Sequence, residues 1–146
     1  MIPPLGKYGN LPKGIHWATW EELITAFGGN RYRKILLGGL KSALDNLKGS
    51  GCQTAYIDGS FVTAKDIPGD FDGCWEEAGV DPYLLDPILL DFDNYRAAQK
   101  AKYFGEFFPA GMREGISGLA FVDLFQIDKV TGDPKGILAL DLRRLP

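Results

Sequence analysis

Apolar residues follow two periods along this chain, and the switches between them mark its elements. Over residues 31–48, Leu36, Leu40, Ala43, Leu44 and Leu47 recur at three- and four-residue spacing, the stripe of an amphipathic helix. Asn30 suits its N-cap, and Gly49-Ser50-Gly51 stops it. A shorter helix is predicted over residues 20–27. There Thr19-Trp20-Glu21-Glu22 has the capping-box pattern, and Gly28-Gly29 offers a cheap left-handed exit. Residues 52–58 and 70–75 read as strands, separated by Gly59-Ser60 and a loop that turns at Pro68-Gly69.

Beyond them, Asp81-Pro82 and Asp86-Pro87 suit helix or turn starts, and residues 88–103 read as largely helical. Glu106-Phe107-Phe108 reads as a brief strand stopped by Pro109. Residues 119–127 and 136–142 read as two strands, with Thr131-Gly132-Asp133-Pro134 as the hairpin turn between them. Residues 1–18 are punctuated by Pro3-Pro4, Gly6, Gly9, Pro12 and Gly14, which predicts an irregular arm. Its Ile2, Leu5, Tyr8 and Leu11 are too apolar for a free tail and are expected to pack over the domain. Helices and strands mixed in this order predict a single α+β domain, a mixed sheet with helices packed on it.

Composition narrows the class. A chain of 146 residues with 24% charged side chains supports one folded core and argues against disorder. No apolar run reaches the length of a membrane span, and the N-terminus lacks a signal-peptide pattern, so a cytoplasmic protein with no membrane contact is expected. Cys52 and Cys74 lack metal-site spacing and are expected to be buried, reduced thiols. A net charge of −3 argues against an indiscriminate nucleic-acid binder. The locally basic set Arg31, Arg33, Lys34, Lys41 and Lys48 reads as solvated helix charge, with polyanion contact as the alternative. His16 is the only histidine and suits a packing or hydrogen-bonding role, which leaves zinc-centred and Ser-His-Asp chemistry hard to build.

The chemistry concentrates in Ile57-Asp58-Gly59-Ser60-Phe61 and Asp70-Phe71-Asp72. On a strand, Asp70 and Asp72 share one face, their Cα atoms about 6.5–7 Å apart, while Phe71 points to the core. Two parallel carboxylates suit a hard divalent cation such as magnesium or manganese. A Gly-Ser turn offers backbone N–H groups and a hydroxyl to phosphate oxygens. A two-metal site needs a third carboxylate. Two positions compete for it: Glu106, on the short apolar strand, and Asp123, inside Phe121-Val122-Asp123-Leu124-Phe125, where a carboxylate is costly to bury unpaired. Lys65 and Thr63 lie in the connecting loop, either as phosphate contacts or as ordinary exposed loop residues.

This order of parts resembles the nucleotidyltransferase superfamily, in which a Gly-Ser turn precedes an acidic-apolar-acidic strand. Nearly the whole chain is similar to a small uncharacterised prokaryotic and phage family placed there, through Met1-Ile2-Pro3-Pro4-Leu5, Leu11-Pro12-Lys13-Gly14-Ile15-His16, residues 56–63, Asp70-Phe71-Asp72-Gly73-Cys74-Trp75, Phe107-Phe108-Pro109-Ala110, Phe125-Gln126 and Pro134-Lys135-Gly136-Ile137. The resemblance implies a minimal nucleotidyltransferase-like module. Gly59 and Ser60 match the phosphate turn, Asp70 and Asp72 the paired metal ligands, and Glu106 the third acidic position, where Asp is commoner. It implies an NTP donor such as ATP, magnesium, and an RNA, protein or small-molecule acceptor. Two alternatives stand beside it. One is a catalytically silent interaction module with a partner protein, as in toxin–antitoxin or phage-defence pairs, to which Trp17, Trp20, Tyr103, Phe107 and Phe108 contribute if they are not core. The other is a hydrolase or nuclease that uses the same carboxylates with water as acceptor.

Overall fold

A computed structural model describes all 146 residues. The helix predicted first runs Trp20–Phe27 (α1), with the reciprocal Thr19–Glu22 capping box in place. It ends at Gly28, whose φ of −99° is right-handed, so the left-handed exit expected there does not form. A β-carbon at Gly28 would lie 2.6 Å from the Ile24 carbonyl oxygen and 2.8 Å from Leu37 Cδ1, so close packing is what requires glycine. The long helix runs Arg31–Gly49 (α2), capped by the Asn30 side chain, which accepts from the Arg33 N–H. Its predicted stripe is buried throughout.

Five strands form one mixed sheet. Gly14–Ala18 (β1), Thr54–Asp58 (β2), Phe71–Trp75 (β3), Gly105–Pro109 (β4) and Gly136–Asp141 (β5) lie in the order β1-β5-β2-β3-β4. The β1–β5 and β3–β4 pairs are parallel, and β2 is antiparallel to both β3 and β5. Two expectations are corrected here. The arm predicted over 1–18 ends in a real strand, β1, which pairs with a segment over a hundred residues away and leaves Ile15 and Trp17 exposed at the edge. Exposed apolar residues give no clean alternation, so local pattern could not reveal it. Leu11 of the arm is buried, and Ile2 and Leu5 pack on the core, but Tyr8 faces solvent.

The second correction concerns residues 119–127, which are not a strand. Phe121–Leu124 is a single helical turn (α4), and no hairpin joins it to β5; only an isolated Ile127–Pro134 bridge flanks the 131–134 turn. Phe121 and Phe125, four residues apart, both pack on Phe108, with the Phe108 and Phe121 rings stacked 3.9 Å apart. That spacing is helical, and it outweighs the strand propensity of the aromatic run. The 88–103 helix is also divided. Pro87–Leu90 is a 3-10 turn, and Asp93–Tyr103 (α3) opens with left-handed residues Asn94, Tyr95 and Arg96.

The two faces of the sheet differ. The face under α1, α2 and the end of α3 holds a core of 24 buried residues. The opposite face holds seven, including Tyr56, Cys74, Phe108, Phe121 and Ile137. Both cysteines are free and buried, and burial pushes the Cys52 thiol up to about 11. His16 Nε2–H donates to the Pro12 carbonyl at 2.6 Å, the role expected of it. No helix is long and apolar enough to cross a membrane.

β4 is an edge strand, and a buried glutamine occupies its free side. Gln99 of α3 accepts from the Phe107 N–H at 2.8 Å and donates to the Phe107 carbonyl at 3.2 Å. Replacing it with leucine leaves a buried backbone donor and acceptor unpaired, at a cost of about 2–4 kcal/mol. Urea unfolding of Gln99→Leu measures this; a loss below about 1 kcal/mol would mean the edge finds other partners.

Candidate functional site: a row of carboxylates across three strands

Strand parity assembles the site. On β2, Ala55 and Ile57 join the larger core and Tyr56 the smaller one; Asp58 follows Tyr56. On β3, Phe71 and Trp75 face the larger core and Cys74 the smaller, so Asp72 lies on the same side as Asp58. On β4, Phe107 and Phe108 divide likewise, which places Glu106 there too. The registers pair Asp58 with Asp72 and Asp72 with Glu106. Three carboxylates therefore stand side by side at one end of the thinly covered face. Asp70 precedes β3 by one residue.

Like charges at close range make the row electrostatically costly. Burial pushes Asp72 up to about 7, and repulsion from Glu106, Asp70 and Asp58, with a hydrogen bond shared with Glu106, adds to it. Asp70 is raised by burial and Glu106, against the pull of Lys100, Lys129 and Lys65. Asp58 is raised by burial, and a Lys135 ion pair, the Gly59 N–H and Lys129 oppose this. Glu106 is itself held by Arg96 Nε at 2.8 Å and Lys100 Nζ at 3.5 Å. As these side chains stand, no three acidic, histidine or cysteine groups converge in a geometry that could hold one metal ion.

The turn beside the row has its own logic. Gly59 has φ 85° and ψ −172°, a backbone region open essentially to glycine alone. A β-carbon there would lie 2.7 Å from Asp72 Oδ2, so Gly59 leaves room for the central carboxylate. Ser60–Val62 then forms a 3-10 turn. Thr63 Oγ1 donates to the Ser60 carbonyl at 2.6 Å and accepts from the Lys65 N–H at 3.2 Å, closing the loop on itself. Lys65 is exposed.

Arg33 ties this loop to α2. Its guanidinium donates to the carbonyls of Phe27 at 3.2 Å, Phe61 at 2.6 Å and Thr63 at 2.9 Å, and also to that of Lys65. The solvated reading of the basic segment is corrected at this position, since Arg33 is 6% exposed.

Of the residues expected at the site, Gly59, Asp70, Asp72 and Glu106 come together, and Ser60, Thr63 and Lys65 lie in the adjoining loop. Asp123 is exposed on α4, so the buried-strand argument for it fails with the strand. Asp58, Arg96, Lys129 and Lys135 were missed. For Asp58 a signal existed: it ends an apolar strand and shares parity with Tyr56. The basic residues carried none, because the approach of Arg96 depends on the left-handed turn of α3 and that of Lys135 on the pairing of β5 with β2.

Two cavities border the row. One, of about 180 Å3, is lined by Asp58, Gly59, Asp72, Lys129 and Lys135. The other, of about 380 Å3, lies toward α2 against Tyr32, Ile35, Asp70, Lys100 and Phe104.

A profile described as a family of unknown function, DUF6932, matches residues 3–141, and the chain belongs to that family. No curated protein and no solved structure matches the chain.

Proposed function

We propose that this member of a family of unknown function transfers a nucleotidyl group from a nucleoside triphosphate, with ATP the first candidate, to a hydroxyl of an RNA, a protein or a small molecule. The observation that carries this reading is the register that sets Asp58, Asp72 and Glu106 abreast, with the Gly59-Ser60 turn lying against the middle one. The donors are all hard carboxylate oxygens, which suits magnesium or manganese rather than zinc or copper. Burial pushes the central acid up to about 7, and repulsion from its acidic neighbours adds to it; a cation would relieve that repulsion.

Asp70, Asp72 and, once freed from Arg96 and Lys100, Glu106 would hold the cation. When bound, it supplies charge neutralisation at the triphosphate and acidifies the acceptor hydroxyl. The protein's own part is positioning. Ser60 and the turn orient the phosphates, Thr63 braces the turn, and Lys65 draws an anion toward Asp70. In the transfer the acceptor oxygen bonds to the α-phosphorus, the bond from that phosphorus to the bridging oxygen breaks, and pyrophosphate leaves. The acceptor proton passes to a carboxylate of the row.

A second reading is a catalytically silent module that engages a partner protein, as one half of a toxin–antitoxin or phage-defence pair. One observation favours it: Glu106 already has its counter-charges in Arg96 and Lys100. Isothermal titration with a non-hydrolysable ATP analogue separates the two. Transfer predicts binding that requires magnesium and weakens at least tenfold in Asp70→Asn. Absence of binding by folded wild type would favour the silent module.

A further inference from the structure

The smaller cavity beside the carboxylate row has a basic wall that the Gly-Ser turn does not account for. Lys135, at the entry to β5, is 16% exposed at its side chain and places Nζ 2.9 Å from Asp58 Oδ1. The Asp58 side chain is 6% exposed, and this single contact engages one of the three N–H donors of the ammonium. Lys135 therefore has N–H donors not committed to Asp58, at the wall of a cavity of about 180 Å3. Lys129 stands exposed on the same wall, and its charge is felt at both Asp58 and Asp70.

Charge decides what such a cavity accepts. Two carboxylates, Asp58 and Asp72, and two lysines line it, so a bare anion is drawn to the lysines but leaves the carboxylates facing it. A bare cation is drawn to the acids but leaves the lysines facing it. An anion that arrives with a divalent cation satisfies both sides, the cation on the carboxylates and the anion on the lysines. A β-carbon at Gly59 would lie 2.7 Å from Asp72 Oδ2, so the glycine at the cavity rim lets Asp72 stand at the cavity wall opposite the lysines.

We propose that Lys129 and Lys135, with Asp58 fixing Lys135, form the polyphosphate-binding wall of the site and take the β- and γ-phosphates of a metal-bound triphosphate. The assignment rests on the nucleotidyl-transfer reading and deepens it. It adds lysine contacts at the entry to β5 to those of the Gly59-Ser60 turn. Asp58 is a positioning residue: it orients Lys135 and does not touch the ligand.

The test uses inorganic triphosphate with magnesium, so that no base or sugar contact contributes, and reads its affinity by isothermal titration. Wild type is expected to bind only when magnesium is present, and Lys129→Gln to bind at least tenfold more weakly. Lys135→Gln alone leaves a buried carboxylate unpaired and risks unfolding. The double variant Asp58→Asn/Lys135→Gln removes both charges, is expected to melt near wild type, and is expected to lose triphosphate binding by at least tenfold. If both variants bind magnesium triphosphate as wild type does, while Asp70→Asn has lost the ATP analogue, the lysine wall falls and the transfer reading stands. If folded wild type binds neither magnesium triphosphate nor the ATP analogue, both fall.

Discussion

Asparagine at position 72 is expected to abolish magnesium-dependent nucleotide binding and, in chelator at pH 8, to raise the melting temperature by roughly 5–10 °C. The two effects have one cause. Asp72 sits between Asp58 and Glu106, and burial with that repulsion pushes its carboxyl from the ordinary 3.8 up to about 7. The native state therefore holds the proton more tightly than the unfolded chain does. Below about pH 4 both states are protonated, and the site costs nothing on this account. Between about 4 and 7 the native state binds more protons, so stability falls as pH rises, and above about 7 the full penalty stands. A rise of this size corresponds to about 2–4 kcal/mol, allowing for partial solvent screening. Asparagine removes the charge and keeps a donor for Glu106. Thermal melts of wild type and Asp72→Asn from pH 4 to pH 8 measure the difference between the two proteins, which cancels the titrating groups outside the row. A difference that fails to widen toward pH 8 would remove the like-charge account. Binding retained by the variant would remove Asp72 from the site.

The same row shows what the sequence could and could not disclose. Asp70-Phe71-Asp72 and Gly59-Ser60 were legible because strand alternation and glycine chemistry are local rules. The capping box at Thr19 and the stripe of α2 were legible for the same reason. Glu106 came from the motif order of the superfamily the chain resembles, and the parallel β3–β4 register puts it beside Asp72. Strand β1 and the role of Lys135 were not legible, because each depends on a partner far off in the chain: β5 for β1, and Asp58 for Lys135. The aromatic run at 121–125 was misread because Phe and Val have strand propensity, whereas Phe121 and Phe125 need helical spacing to reach Phe108 together. Arg33 was misread because charge on a helix is usually solvated, and nothing local in a sequence reports four carbonyls brought in from the end of α1 and one loop.

That arginine supports the prediction with the largest effect on stability. Arg33→Ala is expected to cost about 3–5 kcal/mol. Four backbone carbonyls, from Phe27, Phe61, Thr63 and Lys65, lose their charged donor at once. The Phe27 and Phe61 rings, 5.9 and 5.4 Å from the guanidinium, lose its stacked plane. Lysine keeps the charge but not the planar fork, and its single ammonium reaches fewer of the carbonyls, so Arg33→Lys should recover less than half of the loss. Three of the four carbonyls belong to residues 61–65, the loop that continues the Gly59-Ser60 turn. The damage is therefore expected first in that loop, and only then in global unfolding. Hydrogen exchange of Arg33→Lys should show faster exchange at residues 60–65 with little change in β2 and β3. Magnesium-dependent binding of the ATP analogue should weaken about tenfold while the carboxylate row is untouched. Uniform loss of protection across the sheet would make Arg33 a general core group, and wild-type affinity in a loosened loop would show that the turn needs no bracing to hold phosphate.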